Sequence, residues 1–392
     1  MVKGMIYILT LGVFLTGTSE LVVSGILHIL AEELHTSIAL AGQLISAYSI
    51  AFAIGTPVVV TITSRMDRRK VLVGALLVFI FGCLTSAAST TILQMMVSRM
   101  ILGVSAGVYL VVALGAIAKL VAPEKLGSAI GTIVLGFSSA MILGVPLGIM
   151  MSGWFHWQAI FLSLAFLSAI IAFFVIRFFP RLEGDSPVPF REQFKVLGSS
   201  VIVTGLMITL FRESGNSVLF TYLTPYLTDI LHVDSSRISL ILLVIGIFGA
   251  IFSRLGGYGV DRWGASRIVM LSIIIHMGAL ALLPLAAASL WGALTLVTLI
   301  VASMFLTGPA IQTYFIQQAP QSASLVLSLN TSMVHLGLAA GAGAGGVMIS
   351  SSSTTFYNPI LSCFIIAFSL TFAIISFASK KGQGKQGAYS IP

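Results

Sequence analysis

Charge is the scarcest ingredient of this chain. Only 8% of its 392 residues are Asp, Glu, Lys or Arg and 57% are hydrophobic, whereas soluble domains carry roughly 25% charged residues. No soluble fold hides that much apolar surface, so a water-soluble globular protein is excluded. Cysteine is nearly absent as well. Cys83 and Cys363 both fall in apolar runs, which excludes a disulfide framework and a cysteine-based metal cluster. No Gly-rich loop ending in Gly-Lys-Ser or Gly-Lys-Thr occurs, so the chain lacks that kind of ATP-binding loop; neither cofactor nor metal is expected. Acidic residues are scarcer than basic ones, 12 against 20. The basic residues recur in alternate loops rather than on one soluble face, so the high pI marks topology and not nucleic-acid binding.

What the chain has in abundance is long apolar runs. A membrane-spanning helix needs about 20 mostly apolar residues. Such runs lie at 5–27, 39–63, 71–88, 93–120, 128–151 and 157–179, and again at 201–224, 238–260, 268–288, 290–316, 325–350 and 356–377. The first carries Glu20 and no small-residue cleavage site, and so reads as a retained span and not a signal peptide. Lys3, Arg65, Arg68, Arg69, Lys70, Lys119, Lys125, Arg177, Arg181, Arg191, Lys195, Arg254, Arg262, Arg267, Lys380, Lys381 and Lys385 all fall on one side when the spans are counted in order. The positive-inside rule then puts both termini on the cytoplasmic side of a cell membrane. The expected organisation is an all-α membrane protein: a six-helix bundle over 1–180, a cytoplasmic linker over 181–198, a second six-helix bundle over 199–379 and a cytoplasmic tail over 380–392.

An internal repeat supports two equivalent halves. One ungapped offset of 197 residues superposes Leu34-His35 on Leu231-His232, Ser64-Arg65 on Asp261-Arg262, Ala122-Pro123 on Ala319-Pro320, and Gly144 and Gly148 on Gly341 and Gly345. Parallel halves of this kind are one recurring plan of secondary transporters.

Several local patterns now resemble the major facilitator superfamily, and within it the bacterial drug and metabolite proton-antiporter branch. Gly17-Thr18-Ser19-Glu20 followed by Gly25 is similar to the family's opening helix, and Ser64 through Lys70 to its basic loop. Gly257 to Gly264, with Asp261-Arg262 and then Arg267, resembles the second copy of that loop more closely. Arg99, Gly103 and Gly107 match an Arg-x-x-x-Gly-x-x-x-Gly motif, and Gly144-Val-Pro146-Leu-Gly148 resembles the fifth-helix motif associated with antiporters. Gly153-Trp154, Trp157 and Phe161 resemble the sixth-helix entrance of arabinose and purine efflux permeases. Resemblance to bacterial purine-base efflux pumps is carried by 41–46, 136–148, 189–192 and 330–332. The chain departs from the pattern at Ser64, where the family usually has Asp, at Asp67, where Gly is usual, and at the charged pair Arg212-Glu213.

The resemblance implies a major facilitator fold of twelve spans in two pseudo-symmetric six-helix bundles. It also implies proton-coupled export of a small solute by alternating access, most closely a purine base or nucleoside. The expected partners are the solute, protons and the lipid bilayer, with no nucleic acid, and the expected state is a monomer. Multidrug or sugar efflux, uptake by symport, and a non-transporting sensor on the same fold stay open.

The candidate residues also have reasons of their own. A carboxylate inside a span is costly unless protonated, paired or wet, so Glu20 is either a proton carrier or half of a fixed ion pair with Arg99, and the two are expected to approach each other. Arg212 and Glu213 diverge by about 100° on a helix, so each is expected to find its own partner. Glu213 is a second proton-coupling candidate, and Ser214-Gly215-Asn216 a candidate helix break. Phe137, Arg212, Asn216, Tyr222, Gln312 and His335 are candidate solute contacts, as are Tyr109 and Asn330; His276 reads as structural. Arg65, Asp67, Arg68, Asp261 and Arg262 are gating candidates by resemblance. Gly103, Gly107, Gly144 and Gly148 form small-x-x-x-small pairs that bring helices close, and Pro146 favours a bend. Gly103-Val-Ser105-Ala-Gly107 matches the hydrolase elbow on paper, but that motif needs a strand-to-helix turn and here it lies inside an apolar run, so no enzyme is expected.

Overall fold

The computed structural model describes residues 2–121, 126–184, 196–319 and 323–386. Its regular structure is helical throughout, as lipid demands, because a span must satisfy every backbone polar group internally. In chain order the helices are α1 (Val2–Gly25), α2 (Leu27–Glu33), α3 (Ile38–Ile50), α4 (Thr56–Ile62), α5 (Arg68–Ala87), α6 (Ile92–Leu120), α7 (Leu126–Ser139), α8 (Val145–Trp154) and α9 (Gln158–Phe178). They continue with α10 (Ser200–Phe220), α11 (Leu223–Pro225), α12 (Ser235–Trp263), α13 (Ala265–Leu282), α14 (Leu290–Gln318), α15 (Ala323–Ser352) and α16 (Asn358–Gln386). Eleven helical stretches among the described residues are long and apolar enough to cross a membrane. The seventh expected span is α10, whose 21 residues include Arg212, Glu213, Ser214, Asn216 and Ser217, which lower its hydropathy. With α10 the twelve expected spans are accounted for.

Two spans are joined through a π-helical turn just before a proline. Ala51–Gly55 links α3 to α4 ahead of Pro57, and Ala140–Gly144 links α7 to α8 ahead of Pro146. Proline has no N–H to give to the carbonyl four residues back, and a π turn re-registers the ladder around that gap. Pro146, expected to favour a bend, sits in the first turn of α8 directly after this π-helical turn.

The chain divides into two compact units. The first comprises Met1–Pro187, Thr221–Thr228 and Val233–Leu243; the second comprises Val188–Phe220, Asp229–His232 and Val244–Pro392. Inside the first, α1 packs on α7 and α9, and α5 on α6 and α9. Inside the second, α10 packs on α15 and α16, and α13 on α14 and α16. At the level of spans these are the same pairings, first on fifth and sixth, third on fourth and sixth, which is what a repeated six-helix unit requires.

Local geometry repeats too. His35 and His232, matched by the 197-residue offset, both adopt left-handed backbone, φ 49 and φ 50. Gly144 presses on Thr18, where an added Cβ would lie 2.2 Å from the hydroxyl oxygen, and its repeat mate Gly341 presses on Ser214, 2.0 Å from the carbonyl oxygen. Matched glycines thus serve matched helix pairs. The motif at 189–192, Lys125, and the repeat matches at Ala122-Pro123 and Pro320 lie outside the described residues.

Candidate functional site

In the first unit the fourth span is drawn against the second. Gly103 lets the backbone of α6 reach α3 so closely that a Cβ there would sit 2.3 Å from the Tyr48 carbonyl oxygen, and a Cβ at Gly107 would sit 1.8 Å from the Thr56 hydroxyl oxygen. Ser105 lies between them in an unbroken helix with its hydroxyl on the Leu102 carbonyl, 3.0 Å, which leaves no elbow for a nucleophile.

This contact aims Arg99 at α1. The Arg99 side chain is fully buried. It donates to the backbone carbonyls of Ser19 at 2.6 Å and Glu20 at 3.2 Å, and its guanidinium lies 4.4 Å from the centre of the Tyr48 ring. The Glu20 carboxyl is buried in the same place, within electrostatic reach of Arg99 and of the Tyr48 hydroxyl. Buried charges persist in low dielectric only when paired and hydrogen-bonded, and this cluster supplies opposite charge, carbonyl dipoles and an aromatic face. The structure therefore brings Glu20 and Arg99 together. It adds Tyr48, which sequence reasoning missed.

The second unit holds another buried cluster, and it corrects an expectation. Arg212 and Glu213, expected to point apart and find only separate partners, also meet each other: the guanidinium and the carboxylate form an ion pair. Their Cβ atoms diverge, but both side chains are long, and with only 6% and 11% of each exposed the attraction at low dielectric outweighs the rotamer cost. Arg212 also donates to the Met304 carbonyl of α14 at 3.3 Å, and Asn216 donates to the second oxygen of Glu213 at 3.0 Å. His276 lies within electrostatic reach of Arg212, and its Nε2 has no hydrogen-bond partner among the described residues. The helix break expected at 214–216 is also displaced: α10 runs on to Phe220. Packing of Gly215 on Ile366 and the Ser362 carbonyl keeps this stretch helical and buried.

The other candidates are scattered. Phe137 packs beside Gly17, one turn from Glu20. Tyr109 is buried over Gly12 with its hydroxyl toward the Leu9 carbonyl, 3.4 Å. Tyr222, grouped with the first unit, places its hydroxyl 3.4 Å from the Ala39 carbonyl and directly over Gly42. Asn330 accepts from Thr209 at 2.6 Å. His335 is buried and Gln312 is exposed.

Of the gating candidates, Asp67 caps α5 by accepting from the backbone N–H of Arg69 at 2.8 Å and Lys70 at 3.3 Å. That explains why an acid is useful where the family pattern has Gly. Arg68 is buried and its N–H meets the Leu182 carbonyl at 2.8 Å, while Arg65 is exposed. Asp261 and Arg262 are exposed at the end of α12, where Arg262 donates to the Tyr258 hydroxyl at 3.1 Å.

Twelve spans, a repeated six-helix unit and charged clusters buried within both units define a multi-pass membrane transport protein. The model of the Major Facilitator Superfamily matches residues 9–342 and 205–388, and the chain belongs to that superfamily. An uncharacterized MFS-type transporter of Bacillus subtilis, YbcL, is 38% identical over 348 residues, 89% of each chain. The chloramphenicol resistance protein of Streptomyces lividans is 26% identical over 340 residues, 86% of each. Among solved structures the D-xylose-proton symporter superposes with a TM-score of 0.79 over 95% of this chain and 96% of that one, at 18% identity, which is a likeness of fold.

Proposed function

We propose that this protein is a proton-coupled efflux antiporter that works by alternating access as a monomer in the bacterial inner membrane, with both termini cytoplasmic. The observation that carries the reading is the buried Glu20, Tyr48 and Arg99 cluster. A carboxyl held inside a span beside a guanidinium has two states of different energy, and gaining a proton loosens its hold on Arg99. Because Arg99 also ties α6 to the carbonyls of α1, that change is felt at a helix interface. Glu213, tied to Arg212 and Asn216, is the second proton-coupling residue, and it frees those two donors for cargo when it is protonated.

The proposed cargo is a purine base or nucleoside. Support comes from the resemblance of 41–46, 136–148 and 330–332 to purine-base efflux pumps. Phe137 and Tyr222 of the first unit and Asn216, Gln312 and His335 of the second are proposed, each within its own unit, as solute contacts, being aromatic, amide and imidazole groups of the kind that suit a flat neutral ring. Export is favoured by the antiporter-like motif at Gly144, Pro146 and Gly148, and Arg65, Asp67, Arg68, Asp261 and Arg262 are proposed to gate the cytoplasmic side. The similarity to a chloramphenicol resistance protein supports a second reading, in which the cargo is an amphipathic drug.

Proteoliposomes with an imposed pH gradient and radiolabelled hypoxanthine, adenine, arabinose or chloramphenicol separate the two. Gradient-driven movement of a purine supports the first reading. Movement of chloramphenicol with no purine flux supports the second, and movement of none of the four rejects both.

A further inference from the structure

Lys70, Val73, Gly74 and Leu77 lie three or four residues apart on α5 and so share one face. With Asp67, Arg69, Ile176 and Arg181 they line a cavity of about 350 Å³ between the start of α5 and the end of α9, wholly inside the first unit.

The charges there are not equivalent. Arg69 donates to the carbonyl of Ile176, one of the last four carbonyls of α9, which no N–H of that helix reaches. Asp67 is the lone carboxylate of the lining and is engaged by the backbone N–H groups of Arg69 and Lys70. Lys70 and Arg181 are exposed. Below this rim the wall is apolar. Leu77 and Ile176 are 57% and 47% exposed, and a Cβ built at Gly74 meets nothing within 4 Å, so the glycine leaves a notch in the helix face.

A basic rim over an apolar notch fits a molecule that is anionic at one end and hydrocarbon at the other. We propose that this cavity binds an anionic phospholipid, with its phosphate on Lys70 and Arg181 and an acyl chain along Val73, Gly74 and Leu77. Basic pockets between spans recognise anionic headgroups through this combination of charge and membrane depth. The site depends only on α5 and α9 lying in a bilayer, and not on cargo, direction or proton coupling.

The test is native mass spectrometry of the full chain in neutral detergent, titrated with phosphatidylglycerol, with phosphatidylcholine of the same chains, and with inorganic phosphate as competitor. The native protein binds phosphatidylglycerol roughly thirtyfold more tightly than phosphatidylcholine. Removing two rim cations in Lys70→Gln/Arg181→Gln weakens phosphatidylglycerol binding roughly thirtyfold, at about 1 kcal/mol per interfacial cation, and brings the two lipids level. Lys70→Arg/Arg181→Lys keeps the preference. Gly74→Leu, with every charge in place, fills the notch and lowers lipid occupancy, which keeps the proposal testable if the double Gln variant does not fold. Equal affinity of the native protein for both lipids, a preference that survives Lys70→Gln/Arg181→Gln, or undiminished occupancy in Gly74→Leu overturns the proposal. Displacement of phosphatidylglycerol by an equal concentration of inorganic phosphate overturns it in favour of a free-anion site.

Discussion

The guanidinium of Arg99 lies over the ring of Tyr48, 4.4 Å from its centre, and two of its nitrogens end on the carbonyls of Ser19 and Glu20. Three spans meet at one buried charge. Arg99→Gln removes that charge and leaves Glu20 without its nearby cation, and breaking a buried pair of this kind costs roughly 3–5 kcal/mol. Tyr48→Phe keeps the aromatic face under the cation and the opposite charge beside it, and changes stability by less than about 1 kcal/mol. Thermal unfolding in detergent should rank the two variants in that order.

Gly103 is a backbone-to-backbone contact, and its Cβ position lies 2.3 Å from the Tyr48 carbonyl oxygen. A carbonyl cannot rotate away as a side chain does, so Gly103→Ala should separate the second and fourth spans at a cost of about 3 kcal/mol, the upper end for overpacking. A lowered melting temperature together with reduced transport is the expected outcome.

The Arg212–Glu213 pair gives a test that separates structure from function. Glu213→Gln leaves a buried guanidinium without its counter-ion and destabilises by roughly 3–5 kcal/mol, whereas replacing both residues in Arg212→Met/Glu213→Leu recovers most of that loss. If the pair takes part in transport as proposed, the double variant melts near the native temperature but moves little solute. Recovery of both stability and flux would mark the pair as structural.

Tyr222 fills the space above Gly42, where an added Cβ would lie 2.0 Å from its hydroxyl oxygen. Gly42→Ala should therefore be destabilising alone and far less so in combination with Tyr222→Ala. A coupling energy of about 1–3 kcal/mol in a double-mutant cycle, the range for residues in direct contact, checks this packing.

Much of the fold can be read from the sequence because hydropathy decides where a span lies and charge decides where it ends. The repeat is legible for the same reason: His35 and His232 are matched in sequence and share a backbone state that few residues adopt. Glu20 and Arg99 stand out because a charge inside an apolar run needs a partner. Tyr48 does not, since an aromatic residue in a span looks like packing until Gly103 brings its helix against α6. The ion pair between neighbouring Arg212 and Glu213 was hidden because helical spacing describes Cβ directions and not the reach of long side chains. Nor does local pattern foretell that residues 221–228 and 233–243 pack with the first unit, because that is decided by contacts far apart in the chain.

Glu20 is proposed to carry the proton. The most direct test compares native protein with Glu20→Gln in liposomes, following labelled purine both under an imposed pH gradient and in gradient-free exchange, with folding of each variant checked by its melting curve. If Glu20 is the carrier, Glu20→Gln abolishes gradient-driven movement while exchange across the bilayer persists. Full gradient-driven movement in Glu20→Gln would contradict it and shift the coupling role to Glu213.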